Sequence, residues 1–488
     1  MNTEALSAYL HMYLSSNRSL NSRAMMNERV CKVIKMLQEI IEKFTLLTKS
    51  SSWAKNFWNL NCSKIVTKSK WLQIIWKTQS TLNAWNEYLK HNDHKNKIIQ
   101  QAKHAHFRSQ MYELSDALKS IWCFAKWVRI ESQLSKKLSQ FSSLKWSDTE
   151  QMTTTFEKKI KILQEKFFLS FSQTDVNNIV NSFIFLTVSF DLRISEDEVR
   201  QTIKRIKADK ASNISDILNK ALQTSLAKLI SILISLFNAC VIHRYHSKQF
   251  KKAQTIVLCK SKKSDYTDLK TYQLIALLDI MSKALKSIMT KRLSNIAETH
   301  HMLSDAQMKA RRKWFVISTL NLLVDQIHMI WDCEIKYVAF MLSLNIVEAF
   351  NWVLHVRLLH TLKMKKTSDY IVEWACSFLK NRETSLRFNE QTSDIREINA
   401  DILQRSLISS ILFLFFNASL IEKCKALRIK IEVFNFINDI NILAYDKFIK
   451  EICRTLSRVH NICAKWACTH NATFASEKYE LMHFIRKS

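Results

Sequence analysis

The chain has 488 residues, with 73 Lys+Arg against 43 Asp+Glu, 15 His, 11 Cys, a formal charge of +30, and neither Gly nor Pro. Ordinary usage of roughly 7% Gly and 5% Pro would place about 34 and about 24 of them here, so their absence excludes every motif whose mechanism needs a glycine: the P-loop, the dinucleotide-binding G-x-G-x-x-G, the G-x-S-x-G elbow and the EF-hand loop. The charge points to polyanionic partners, nucleic acid first and an acidic membrane surface second, and a hydrophobic share of 47% supports two or three packed units of domain size.

Residues 1–50 read as a poorly defined N-terminal segment. Residues 51–150 read as a basic, Trp-rich helical region: positions 51–110 hold ten Lys+Arg, two Asp+Glu and the tryptophans Trp53, Trp58, Trp71, Trp76 and Trp85. Large flat rings among cations suit base stacking and phosphate contact, and equally suit a helix pair whose tryptophans fill its own core. Met111, Leu114, Leu118, Ile121, Ala125 and Val128 recur at helical spacing and predict one apolar helix face. A polar stretch of Ser, Gln and Lys follows, and residues 151–195 are assigned as a linker.

Beyond it, helices alternate with short strands. Glu196–Ala208 and Ile214–Val241 read as helices, Thr255–Cys259 as a strand and Met281–Ala297 as a basic helix. Lys336–Leu344 is apolar almost throughout and predicts a strand covered on both faces. Helices near 354–364 and 369–380, a hairpin at 384–398 and a buried helix over Gln404–Ile421 complete the pattern. Ile429–Ile437 and Ile440–Ala444 flank Asn438-Asp439, which predicts a tight hairpin with that pair at its tip. The longest apolar run, Leu229–Ile242, has 14 residues, too few to span a bilayer, so no membrane segment is expected. The cysteines form no C-x-x-C and no secretory leader precedes them, which predicts reduced thiols in an intracellular protein of the cytoplasm or nucleus. His460, Cys463, Cys468 and His470 match no zinc spacing.

The order of these segments resembles the reverse transcriptases of non-LTR (LINE-type) retrotransposons, particularly those of fungal genomes. The resemblance covers roughly residues 50–488. Trp53-Ala54-Lys55-Asn56-Phe57-Trp58-Asn59 and the basic helix after it look like the segment that precedes the polymerase. Lys204-Arg205-Ile206-Lys207-Ala208-Asp209-Lys210-Ala211 is similar to the family's entry motif. Thr255-Ile256-Val257-Leu258, followed by Tyr272-Gln273-Leu274-Ile275-Ala276-Leu277-Leu278, resembles the fingers motif that usually ends Tyr-Arg-Pro-Ile-x-Leu-Leu. The resemblance implies an α/β (α+β) right-hand polymerase with fingers and the start of the palm over 196–335, the palm over 336–488, and a thumb largely absent.

It also implies two-metal nucleotidyl transfer on an RNA template and DNA primer, with Mg²⁺ held by hard oxygen ligands and no small-molecule cofactor. Three aspartates usually supply those ligands, and the matching catalytic and metal positions here read Asn345, Asn438 and Asp439. Removing two negative charges from a site for two divalent cations weakens it by several kcal/mol, which is several orders of magnitude in rate. Of the nucleotide-binding positions, Phe350 matches the ring that screens the sugar 2′ position and Lys478 the palm lysine near the phosphates. Gln404 keeps the amide of a motif whose Gly and Pro residues are gone, with Arg405 in the loop. Gln273 replaces the fingers arginine. Asp to Asn, Gly to Asp, Glu, Arg or Asn, Pro to Leu or Ser, and Arg to Gln each need one G-to-A or C-to-T change, and the same bias erases Gly and Pro codons. A mutationally decayed copy encoded by AT-rich DNA is therefore expected. A non-catalytic nucleic-acid-binding remnant and a weakly active polymerase stand as alternatives.

Overall fold

In the computed structural model, residues 20–44, 57–79, 81–114, 144–146, 149–153, 155–167, 187–207, 215, 217, 219–260, 266–311, 316–333, 337–388, 391–398, 402, 406–427 and 430–485 are described. The chain divides into one unit of Leu46–Gln140 and another of Met1–Thr45 with Phe141–Ser488. The helix predicted through Val128 lies outside the described residues beyond Leu114.

The larger unit begins with α1 (Arg23–Phe44). Met26, Val30, Val33, Leu37 and Ile40 recur every three or four residues and are all buried, giving the helix one apolar stripe that joins the central core. Asn27 fastens it: its amide nitrogen donates to the Tyr245 hydroxyl at 3.0 Å, and its oxygen accepts from the Ser247 hydroxyl and the Lys248 N–H. The expectation of a poorly defined segment over residues 1–50 is corrected for this stretch.

The smaller unit contains α2 (Leu60–Gln79) and α3 (Leu82–Leu114). Trp76 of α2 meets Trp85 and Tyr88 of α3, with ring centroids 4.4 and 6.2 Å away. Two of the five tryptophans thus serve the pair's own packing. Trp71 instead lies exposed.

The expected linker over 151–195 is also corrected for residues 151–153 and 155–167; residues 168–186 lie outside the described residues. Strands β1 (Leu144–Trp146) and β2 (Thr149–Thr153) pair antiparallel, and α4 (Phe156–Phe167) follows. Their polar composition suggested a connector, yet Leu144, Ile160, Ile162 and Leu163 supply an apolar face that covers a sheet. Helix α5 (Glu196–Arg205) starts at a capping box in which Ser195 and Glu198 each satisfy the other's backbone N–H. Helix α6 spans Asn219–Ile242. Strands β3 (Lys252–Cys259) and β4 (Tyr272–Leu278) pair antiparallel. Asp279 then caps α7 (Ile280–Thr299) by accepting from the Met281 and Ser282 N–H groups. Helix α8 (Val316–Asp332) leads to β5 (Val338–Asn345), followed by α9 (His355–Met364) and α10 (Asp369–Leu379). Next come β6 (Arg382–Phe388), β7 (Gln391–Thr392), β8 (Arg396–Ile398) and α11 (Leu407–Lys425). The hairpin β9 (Ile431–Phe436) and β10 (Asp439–Asp446), helix α12 (Ile449–His470) and β11 (Glu480–Phe484) end the order.

Two sheets result. In the first, β3 lies between antiparallel β4 and parallel β6, and β6 also pairs with β7 and β8. Its outer face meets β1 and α4 through Val257, Tyr272, Leu386 and Phe388. The second is antiparallel in the order β11-β5-β10-β9. The pleat of β5 sends Ala339 and Met341 towards α8, and Phe340 and Leu344 into the central core. Both faces are therefore covered, which explains the nearly continuous apolar sequence of that strand. Helices α6 and α11 are long and apolar enough to cross a membrane by length and composition, longer than the 14-residue run suggests. Both carry buried residues of the central core along their length.

Candidate active site

Strand β5 ends at Asn345 and β10 begins at Asp439, and the antiparallel register sets these two residues directly opposite each other. Asp439 also pairs with Phe436, so the two-residue turn consists of Ile437 and Asn438. This corrects the expected tip by one position: Asp439 is the first strand residue, held in the ladder. The Asn345 Nδ2 donates to Asp439 Oδ1, and the Asn438 Nδ2 donates to the same oxygen at 3.3 Å. The three predicted positions form one cluster, in which the carboxylate accepts from both amides. All three are half-buried. Among the described residues, no group of three or more His, Cys, Asp and Glu gathers as metal ligands do.

The turn is built against local preference. Ile437 has φ of 66°, a left-handed conformation that a β-branched residue adopts only under constraint, at on the order of 1–3 kcal/mol. Three buried amides supply the constraint. Asn417 of α11 donates to the Ile437 carbonyl at 3.0 Å, and Asn435 of β9 donates to the same oxygen at 3.1 Å. Gln307 donates to the Asn417 oxygen at 2.7 Å, and the Asn435 backbone bonds both Ala306 and Met308. These amides are fully buried, and sequence reading missed them. Their signal is a single amide in the otherwise apolar run Phe413-Leu414-Phe415-Phe416-Asn417-Ala418, since a buried polar group without a partner is costly.

Phe350 lies five residues past Asn345, half-buried, with its ring 5.2 Å from Phe413 of α11. Its carbonyl accepts from the Ile402 N–H at 2.9 Å, which ties the loop after β5 to the segment before α11. Gln404 lies in that segment but outside the described residues. Lys478 is exposed; its N–H bonds the carbonyl of Ala475, whose own N–H bonds the carbonyl of Asn345 at 2.9 Å. The lysine is thus connected through backbone to the end of β5. Gln273 is on the other sheet, opposite Leu258, where nothing described joins it to the cluster.

Comparison with known proteins bears on this arrangement. No protein-family model matches the chain. Over 227 residues, 46% of the chain, it is 24% identical to a probable RNA-directed DNA polymerase from transposon BS of Drosophila melanogaster. Over 290 residues, 59% of the chain, it is 25% identical to a probable RNA-directed DNA polymerase from transposon X-element of the same fly. A 97-residue stretch, 20% of the chain, is 28% identical to a retrovirus-related Pol polyprotein from type-1 retrotransposable element R1 of Bradysia coprophila. These relatives are polymerases of mobile elements. The matches cover 25%, 32% and 10% of the relatives' own lengths. A truncated apo telomerase from Candida tropicalis aligns over 56% of the chain and 64% of its own, at 9% identity and a TM-score of 0.36.

The His460–His470 group does not form a metal centre. Cys463 and His470 are buried while Cys468 is exposed. His460 reaches the Tyr479 hydroxyl at 3.3 Å, and His470 stacks on Trp466 with centroids 4.4 Å apart. Burial lowers the His470 pKa to about 4, which keeps this ring neutral and its role structural.

Proposed function

We propose that the chain carries the fingers and palm of a reverse transcriptase of the non-LTR type and has lost most or all of its polymerase activity. The observation that carries this reading is the direct opposition of Asn345 and Asp439 across β5 and β10 with Asn438 beside them. Positions far apart in sequence, each expected to hold a metal ligand, converge at one strand end. Similarity to RNA-directed DNA polymerases of transposons supports the same reading. RNA template and DNA primer are the partners it implies.

The residues present do not fit a pair of Mg²⁺ ions. One carboxylate stands where the resemblance implies three facing two divalent charges. Both neighbouring amides donate to that carboxylate, and although an amide can turn its oxygen to a cation, it brings no charge to offset one. The changes at Asn345 and Asn438 follow the same single-base bias as the loss of Gly and Pro, which supports a decayed copy. The net charge of +30 favours retained nucleic-acid binding as a second reading, without catalysis.

Primer extension on an RNA template, with Mg²⁺ or Mn²⁺, tests the proposal. The unmodified chain is expected to give no extension, and Asn345→Asp combined with Asn438→Asp is expected to raise extension by orders of magnitude. Extension by the unmodified chain overturns the inactivity.

A further inference from the structure

A cavity of about 280 Å³ lies where α5, β4, α7 and the start of α11 meet. Two helices line it with cations, Arg205 from α5 and Lys283 and Lys286 from α7, and Ser287 and Ser406 add hydroxyl groups. Among the described residues no carboxylate lines it. Asp279, whose charge acts on both lysines, is engaged elsewhere: it accepts from the Met281 and Ser282 N–H groups and from the Ser215 hydroxyl.

The three cations differ in depth. Arg205 is exposed, Lys283 half-buried and Lys286 only 2% exposed. Solvation accounts for the first two. It does not account for Lys286, whose ammonium has no hydrogen-bond partner. The Phe378 ring, centred 5.6 Å from that ammonium, attracts a cation but offers it no lone pair. A buried charge without an acceptor is unfavourable, and Lys283 and Arg382 repel this one further. Water in the cavity supplies an acceptor and leaves the repulsion; an anion removes both.

Two ammonium groups, a guanidinium and hydroxyl donors suit a multiply charged oxyanion of the phosphate class. Size narrows the class, because pockets for drug-sized ligands hold roughly 300–1,000 Å³ and this cavity lies below that range. It therefore suits pyrophosphate better than a whole nucleotide or a length of strand. We propose that this cavity is a binding site for a small free polyphosphate such as pyrophosphate, with Lys286 and Lys283 as inner cations, Arg205 at the mouth, and Ser287 and Ser406 donating to its oxygens. Phe350, Gln273 and Lys478 do not line it, so the inference is independent of whether the palm holds metal.

The test is calorimetric titration of the full-length chain with pyrophosphate, without divalent ions. One ion is expected to bind per chain. Lys283→Gln and Lys286→Met are each expected to weaken binding at least tenfold, roughly what losing a hydrogen bond to a charged group causes. Lys220→Gln, exposed on α6 and outside the cavity, is expected to leave binding within about twofold. Arg205→Gln, at an exposed position, should weaken it about threefold, which keeps the test decisive if a lysine variant does not fold. Adenosine triphosphate and a uridine homopolymer, added as competitors at equal phosphate concentration, are expected to displace pyrophosphate poorly. Absence of saturable binding, or equal loss in Lys220→Gln and the cavity variants, overturns the site. Displacement by either competitor at equal concentration assigns the cavity to a nucleotide or a strand and overturns the proposal.

Discussion

Lys286 of α7 is fully buried, and its ammonium has no hydrogen-bond partner. Burial, reinforced by the nearby positive charges of Arg382 and Lys283 and opposed by Asp279, lowers its pKa to about 7. Between about pH 7 and its ordinary 10.5, the unfolded chain therefore binds more protons at this site than the folded one. Stability contributed by this group rises with pH through that window, and the penalty is fully present below it. Lys286→Met keeps the length and removes the charge, so it is expected to stabilise the fold by a few kcal/mol at pH 7. That advantage should shrink steadily towards pH 10. Denaturant melts of both proteins across this range measure it, and a difference that does not depend on pH would contradict the buried cation.

Strands buried on both faces were readable, and stretches judged on composition alone were not. The apolar run of β5 and the alternation around residues 438–439 led to the right strands, because two-sided burial leaves that mark in sequence. The turn was misplaced by one residue because Ile437 adopts φ of 66°, a choice dictated by the amides of Asn417 and Asn435 from beneath. Nothing local in the sequence announces it. Helix α1 was missed although Met26, Val30, Val33 and Leu37 fall on one stripe, since its partners lie some 200 residues away, as the bond from Asn27 to Tyr245 illustrates. Convergence of Asn345 with Asp439 was legible through motif order, whereas the positioning amides were not, because their partners come from three separate segments. Asn417→Leu tests the element-level claim. It removes the Asn417 Nδ2 that donates to Asn435 Oδ1 at 3.2 Å and the oxygen that accepts from Gln307, so a loss of about 1–3 kcal/mol is expected, together with faster amide exchange in β9 and β10 than in β3 and β4. Uniform exchange in both sheets would remove the relay from its assigned role.

At the scale of the whole molecule, the missing glycines leave their trace in the backbone. Arg244, His301, Ala310, Glu348, Lys366, Asn381, Ile437 and Asn471 all have positive φ, where L-residues with a Cβ are disfavoured by roughly 1–2 kcal/mol and only Asn fits with ease. Summed over such sites, the strain is comparable with the 5–15 kcal/mol that separates folded from unfolded states in ordinary proteins. At these positions glycine should therefore stabilise the chain. His301 and Lys366 offer the cleanest comparison, because their side chains are exposed and their φ values are 47° and 57°. His301→Gly and Lys366→Gly are each expected to raise stability by roughly 1 kcal/mol. With no shared partner among the hydrogen bonds described, the two gains should add to within about 0.5 kcal/mol. Arg458→Gly, at an exposed position inside α12, should instead cost about 1 kcal/mol. Urea melts of the unmodified chain, the three single variants and the His301→Gly, Lys366→Gly double variant read this directly as a shift in midpoint at constant slope. If all three glycines destabilise alike, the left-handed residues carry no strain and the cost of a glycine-free chain has to lie elsewhere.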